Sequence, residues 1–217
     1  MDYMETMKAR HAVRSFTDRK IEGKTLTDLK SIIEKINAAS GLDMKLVLDE
    51  PEAFGGRSSR GFKNCRNYIV IGGKNGSNEK TGYYGEKAVL AAQALGLNSC
   101  WVEMSYSKGK VPVKLEPGYK IQAVIALGYG ENQGVPHKSK TMEALSKVDG
   151  EAPDWFKKGM EAAMLAPTAM NQQKFSFALN GDKVSAKPGI GFYSKVDLGI
   201  AKAHFELGAG KDNFKWA

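Results

Sequence analysis

Two runs of apolar residues, Tyr68 to Ile71 and Ile121 to Gly128 (IQAVIALG), constrain this chain most. The first is apolar without alternation, the pattern of a strand inside a sheet with both faces covered. Further strands are expected over Met44 to Leu48, Ser99 to Glu103, Phe175 to Leu179 and Lys183 to Lys187, the last two joined by the hairpin signal Asn180-Gly181. The covering elements are written at helical spacing. Leu26, Leu29, Ile33 and Ile36 fall on one face of a helix capped by Thr25 or Thr27, and Ala88, Ala91, Ala92 and Leu95 on one face of a helix stopped by Gly96. Pro153-Asp154 opens a third, with Trp155, Phe156, Met160, Ala163 and Met164 on its apolar side and Pro167 beyond its end. Asp197 is read as the cap of a last helix carrying Leu198, Ala201, Phe205 and Leu207, and Met1 to Ala9 as a short first one. The fold class expected is α+β, a mixed, mostly antiparallel sheet flanked by helices.

At 217 residues, 42% hydrophobic, the chain is long enough for one sizeable core or two small intertwined ones. Lysine and arginine exceed aspartate and glutamate by 32 to 24, a net charge of +8 that favours anionic small molecules such as phosphates. A basic face interleaved with aromatics is missing, so nucleic acid is not expected as a partner. Cys65 and Cys100 stand apart without a CxxC or a histidine cluster, which indicates neither a disulfide framework nor a zinc site. With no signal-peptide pattern and no apolar stretch near ~18 residues, no membrane is expected and the location expected is cytoplasmic. The polar stretch Glu131 to Asp149 suggests a division into residues 1–150 and 151–217. Ala53 to Asn64, rich in glycine, serine and arginine, has the composition and length of a binding loop or lid.

Two stretches carry chemistry. Arg10 to Phe16 (RHAVRSF) sets two arginines four residues apart with His11 beside the first. In an extended segment Arg10, Ala12, Arg14 and Phe16 share a face, so both guanidinium groups could grip one phosphate. A solvated basic turn is the other reading of the same residues. Ala166 to Phe175 (APTAMNQQKF) places Pro167 and Thr168 before Asn171, with glutamine following. Gly128-Tyr129-Gly130 lacks the third glycine and the following helix of a dinucleotide fingerprint, so a Rossmann domain is not indicated.

RHAVRSF and APTAMNQQKF together resemble the two signatures of the FMN-dependent nitroreductase family. The resemblance implies that Arg10, His11 and Arg14 contact the flavin phosphate and ribityl chain. It also implies that Lys138 and Lys140 complete the phosphate clamp, and that Pro167, Thr168 and Asn171 line the ring. Glu103 and Met104 stand where members present a glutamate and a backbone amide near the ring, although a strand simply leaving the core with Trp101 packed explains them as well. Lys174 replaces the proline usual after the glutamine. His204 reads as structural and His137 as part of the phosphate loop. No side chain is expected to be catalytic, because FMN with NAD(P)H as donor carries the electron transfer to a small-molecule acceptor such as a nitroaromatic or a quinone. A non-catalytic flavin or nucleotide binder is the alternative.

Family members place the second signature one helix after the first, whereas here it lies far down the chain. The first half has the arginines but Ala38 to Leu42 in place of the second signature, and the second half has the reverse. The element order repeats between halves, which points to a degenerate duplication. A single-chain pseudo-dimer with one FMN is the expectation, and a homodimer fits the same string.

Overall fold

A computed structural model describes residues 2–217, so Met1 of the expected first helix lies outside the described residues. In chain order the helices are α1 (Tyr3–Ala9), α2 (Gly23–Ser40), α3 (Asn78–Ala94), α4 (Met142–Leu145), α5 (Asp154–Ala163) and α6 (Ser194–Ala209). The strands are β1 (Asp43–Val47), β2 (Asn67–Gly73), β3 (Asn98–Val102), β4 (Lys120–Gly128), β5 (Ser146–Val148), β6 (Phe175–Asn180), β7 (Lys183–Pro188) and β8 (Lys215–Trp216). The fold is α+β, as expected, with two four-stranded sheets in place of one. No helix of the described residues is long and apolar enough to cross a membrane.

The chain forms two compact units that interleave in sequence and do not follow a division at residue 150. A sheet unit comprises Ala9–Ser77 and Lys87–Val135, and a helix unit comprises Met1–Lys8, Asn78–Glu86 and Pro136–Ala217. The stretch expected to be a polar boundary contains α4 and β5, with Thr141 capping α4 by accepting from the Ala144 amide. Both elements are too short to show a periodicity in the sequence.

In the sheet unit the strands run β1-β2-β4-β3, every neighbour antiparallel. Residues Tyr68 to Gly73 of β2 and Ala123 to Gly128 of β4 are all buried, as continuous apolar runs require. One face carries Tyr68, Val70, Cys100, Val102, Val124 and Ala126 against Val13, Phe16, Phe54 and Tyr106. Helix α2 packs on β1, and it begins at Gly23 without a side-chain cap, so neither Thr25 nor Thr27 caps it. Its end is well defined: Gly41 adopts φ 64° and donates to the Asn37 carbonyl at 2.9 Å. The Asn37 amide then bonds both backbone groups of Met44, at 2.8 and 3.0 Å, and so fixes the first residues of β1.

The helix unit has the order β5-β6-β7-β8, in which β6 and β7 form the expected hairpin and the two outer strands pair in parallel. Phe175, Phe177 and Leu179 of β6 are buried while Ser176 and Asn180 are exposed, a one-sided strand. The core is aromatic: Phe177 stacks on Phe205 with ring centroids 4.8 Å apart, and Phe205 meets Phe156, Phe214 and Trp216 edge-on or tilted. Helices approach closely where glycine allows it. A Cβ on Gly82 would land on the Val196 carbonyl, and one on Gly199 on the Glu79 carbonyl. Beside that crossing, fully buried His204 bonds the Ala162 carbonyl through Nδ1 (3.0 Å) and Glu86 Oε1 through Nε2 (2.9 Å). His204 is structural, as its apolar helix implied.

Candidate functional site

The arginine segment lies in the sheet unit and is extended, but its register is not the expected alternation. Arg10, Val13 and Phe16 are buried, whereas Ala12 and Arg14 are exposed. The reason is that three different neighbours hold the segment, so no single ladder imposes period two. Val13 donates to the Ser99 carbonyl at 3.0 Å, Phe16 to Lys63 at 3.0 Å and Thr17 to Tyr129 at 2.8 Å. Lys63 and Glu131 donate in return to the carbonyls of Arg14 and Ser15. Gly128, Gly130 and Gly134 belong to this packing, since a Cβ on them would meet the Phe16 ring at 2.9 Å, Val13 Cγ1 at 2.9 Å and His11 Cβ at 2.7 Å respectively. The Gly-Tyr-Gly sequence therefore makes room for the arginine segment.

His11 Nδ1 donates to the Gln133 carbonyl at 3.2 Å, which leaves Nε2 as the ring nitrogen turned away from that bond. Burial pushes the Cys100 thiol up, while the charges of Arg14 and then Arg10 pull the other way. Cys100 is the central residue of β3, and the segment carrying both arginines is bonded to the residue before it, Ser99, through Val13. Glu103 and Met104 follow the end of β3, Glu103 half-buried and Met104 exposed. The glycine-rich stretch from Ala53 is anchored, not free: Ala53, Phe54 and Ser59 are buried, and Phe54 meets Phe62 and Tyr68 with ring centroids 5.0 and 5.4 Å apart.

The second stretch lies in the helix unit, where Pro167 and Thr168 are half-buried and Asn171 is exposed. Its backbone is strained, with Met170, Asn171 and Gln173 at φ 51°, 52° and 46°. Left-handed geometry at three non-glycine residues in so short a span persists only where surrounding bonds impose it. Those bonds are present. The Gln173 amide nitrogen donates to the Lys138 carbonyl at 2.8 Å and to Asn171 Oδ1 at 2.9 Å, and its backbone N–H donates to Thr168 Oγ1 at 3.1 Å. Asn171 Nδ2 donates to the Lys138 carbonyl at 3.0 Å. The Lys140 ammonium donates to the Gln172 and Gln173 carbonyls at 2.9 and 3.1 Å, so this lysine braces the loop. The Ser139 hydroxyl and His137 Nε2 both turn to the Met164 carbonyl at the end of α5.

Asp197 is the residue that sequence reasoning misread. Helix α6 starts at Ser194, three residues earlier than the cap assigned, and Asp197 is buried in its first turn. Its carboxylate accepts from the Ala169 amide and from Gln172 Nε2, both at 2.9 Å. Burial holds the carboxyl above its ordinary range, with those two bonds pulling it back. The signal available in the sequence was a glutamine pair followed at a distance by an acid ahead of an apolar helix, which does not say that the two meet.

The fold is shared with solved structures. One is a Thermotoga maritima protein described as a "putative nitroreductase", 24% identical with TM-score 0.69, over 98% of this chain and 85% of that one. A second, from Desulfovibrio desulfuricans and of the same description, is in complex with FMN: 15% identity, TM-score 0.51, 70% of this chain and 98% of that one. A third, from Parabacteroides distasonis, is described as a "Putative NADH dehydrogenase/NAD(P)H nitroreductase": 20% identity, TM-score 0.50, 67% and 96% coverage. None of the curated proteins compared matches the chain. The class these features define is a nitroreductase-like oxidoreductase. The family described as "Putative TM nitroreductase" matches residues 2–209, and the chain belongs to that family.

Proposed function

We propose that the protein is an FMN-dependent oxidoreductase taking hydride from NADH or NADPH and reducing a nitroaromatic, quinone or similar acceptor. The observation that carries this reading is the arginine segment, which presents Arg10 and Arg14 on a backbone bonded to Ser99, Lys63 and Tyr129. Such a donor set fits a phosphate monoester, and Arg10 and Arg14 would hold it. His11 Nε2, the ring nitrogen not engaged with Gln133, would bond a ribityl hydroxyl. In the helix unit the Thr168 hydroxyl, whose oxygen accepts from Gln173, keeps its own proton to donate, and Pro167 offers an apolar flank. Lys138 is a further phosphate-clamp candidate by the family resemblance, and Lys140 and Asn171 shape the loop that carries Thr168. Glu103 and Met104 would stand at the ring. FMN, when bound, supplies the two-electron transfer itself.

The balance is simple. The nicotinamide gives up two electrons and one proton as hydride, and a quinone takes these with one proton from water to become the hydroquinone. A nitro group takes the same two electrons and two protons and leaves as nitroso with one water. A cytoplasmic location and one FMN per chain, as a pseudo-dimer, belong to the same proposal.

The test is the absorption spectrum of the purified protein with FMN added, the bound flavin counted per chain, then anaerobic addition of NADH or NADPH. Bound FMN that is bleached by a nicotinamide supports the reading. A folded protein that takes up no FMN refutes it, and FMN that no nicotinamide reduces leaves only a binder.

A further inference from the structure

Asp197 is 3% exposed, and a carboxylate so far from water is costly unless its oxygens are bonded. Both oxygens are. Oδ1 accepts from the Ala169 amide and Oδ2 from Gln172 Nε2, each at 2.9 Å, so the whole charge is turned toward residues 28 and 25 positions earlier in the chain. An acid in the first turn of a helix ordinarily serves that helix, through its free amides and its dipole. Helix α6 has no side-chain cap, and the Asp197 oxygens leave it for the loop.

What the Ala169 bond fixes is one peptide group. The peptide joining Thr168 and Ala169 donates its N–H to Asp197, and its carbonyl accepts from the Asn171 amide at 3.0 Å. A planar group held at both ends is not free to turn. Thr168 itself is extended, at φ −133° and ψ 154°, and its hydroxyl oxygen accepts from the Gln173 backbone amide at 3.1 Å. Backbone and side chain of Thr168 are therefore anchored separately. Met170 and Asn171, which follow, are left-handed at φ 51° and 52°, a conformation that non-glycine residues keep only where surrounding bonds impose it. Loss of the Asp197 acceptor would release one end of the peptide and let the turn relax.

We propose that Asp197 is a positioning residue for FMN, which holds the Thr168–Ala169 peptide so that the Thr168 hydroxyl is aimed at the flavin. This rests on the reading that Thr168 flanks FMN, and it adds a residue from outside both signature stretches. Asp197 acts through the loop and needs no contact with the flavin. Its effect on flavin binding should therefore vanish once the Thr168 hydroxyl is gone.

The experiment is a double-mutant cycle on FMN affinity, read by quenching of flavin fluorescence with the full chain, using Thr168→Ala, Asp197→Ala and the two together. Each single change is expected to weaken FMN binding about tenfold, the scale of one hydrogen bond, and the double change to stay within about twofold of the weaker single. Asp197→Asn, whose amide oxygen can still accept from Ala169, should remain within about threefold of the unaltered protein. Additive losses, about a hundredfold in the double variant, overturn the proposal, because Asp197 then acts on something other than Thr168. Unchanged affinity in Asp197→Ala overturns it too. Should Asp197→Ala fail to fold, Asp197→Ser takes its place in the cycle, its side chain too short to reach the Ala169 amide, and the same outcomes decide. Failure of the unaltered protein to take up FMN removes the flavin reading and this proposal together, whereas additivity removes this proposal alone.

Discussion

The two sheets are composed by different rules. In β2, residues Tyr68 to Gly73 are buried without a break, whereas in β6 burial alternates from Phe175 to Asn180. The first pattern belongs to a strand with both faces covered and the second to a strand with one face in water. The units differ again in what fills them. Strand side chains make the centre of the sheet unit. In the helix unit the filling comes from aromatic rings, glycine-mediated helix crossings and one buried polar pair. Hydrophobic periodicity therefore reports local coverage faithfully, and it reports poorly a core built from close backbone approach.

The sharpest way to break that contrast is the polar pair. Glu86→Ala leaves His204 without its 2.9 Å partner in a fully buried site, and a loss of about 3–5 kcal/mol in urea unfolding is expected. The paired replacement Glu86→Met with His204→Leu should recover most of it; no recovery would mean that the pair is more than local packing. Next comes Gly199→Ala, which drives a methyl group into the Glu79 carbonyl and should cost about 3 kcal/mol. A change below 1 kcal/mol would show that the helices can separate at no cost, and the helix unit would lose its distinguishing feature. Within the sheets, Val70→Thr puts a hydroxyl into a covered face and is expected to cost about 2 kcal/mol. Ser176→Val on the open face of β6 should change stability by less than about 0.5 kcal/mol. Equal effects at the two positions would erase the distinction between the sheets.

The smallest effect is a slope. The Asp197 carboxyl titrates above the ordinary value of 3.8 because burial disfavours its charge. The folded protein therefore binds that proton more readily than the unfolded one. Asp197's contribution to stability is present below the unfolded value and is lost as pH rises through the raised folded value. Carboxyl chemical shifts of Asp197 against pH should give a midpoint above 3.8, and Asp197→Asn should remove this part of the slope. A midpoint at or below 3.8 would contradict the burial argument.

Much of the architecture was legible because it is periodic. The apolar runs of β2 and β4, the Asn180-Gly181 hairpin and the helices α2 and α5 came through within a few residues of their observed ends, while α3 begins at Asn78, five residues before the Tyr83 start its periodicity suggests. What escaped was non-periodic. Strands β5 and β8 have three and two residues and pair in parallel with partners distant in the chain, so no local pattern announces them. At the site, residue types were readable but not their duties. Lys140 offers charge in the sequence and spends it on two carbonyls of its own loop, and Asp197 looks like a cap while serving as an acceptor for Ala169 and Gln172. Arg10 and Arg14 were recognisable as a pair, yet their burial is opposite, because Ser99, Lys63 and Tyr129 each fix a different part of the segment.

The interleaving of the units has a consequence for the order in which the chain can be completed during synthesis. When Val135 leaves the ribosome every residue of the sheet unit already exists, so that unit can close early. Helix α1 and the first turns of α3 have by then been made but belong with residues from Pro136 onward. They must wait, with Met7 and Gly82 uncovered, until the residues from Pro136 onward that complete their unit have been translated. A nascent chain is thus half mature and half in need of protection, and the vulnerable half includes α1.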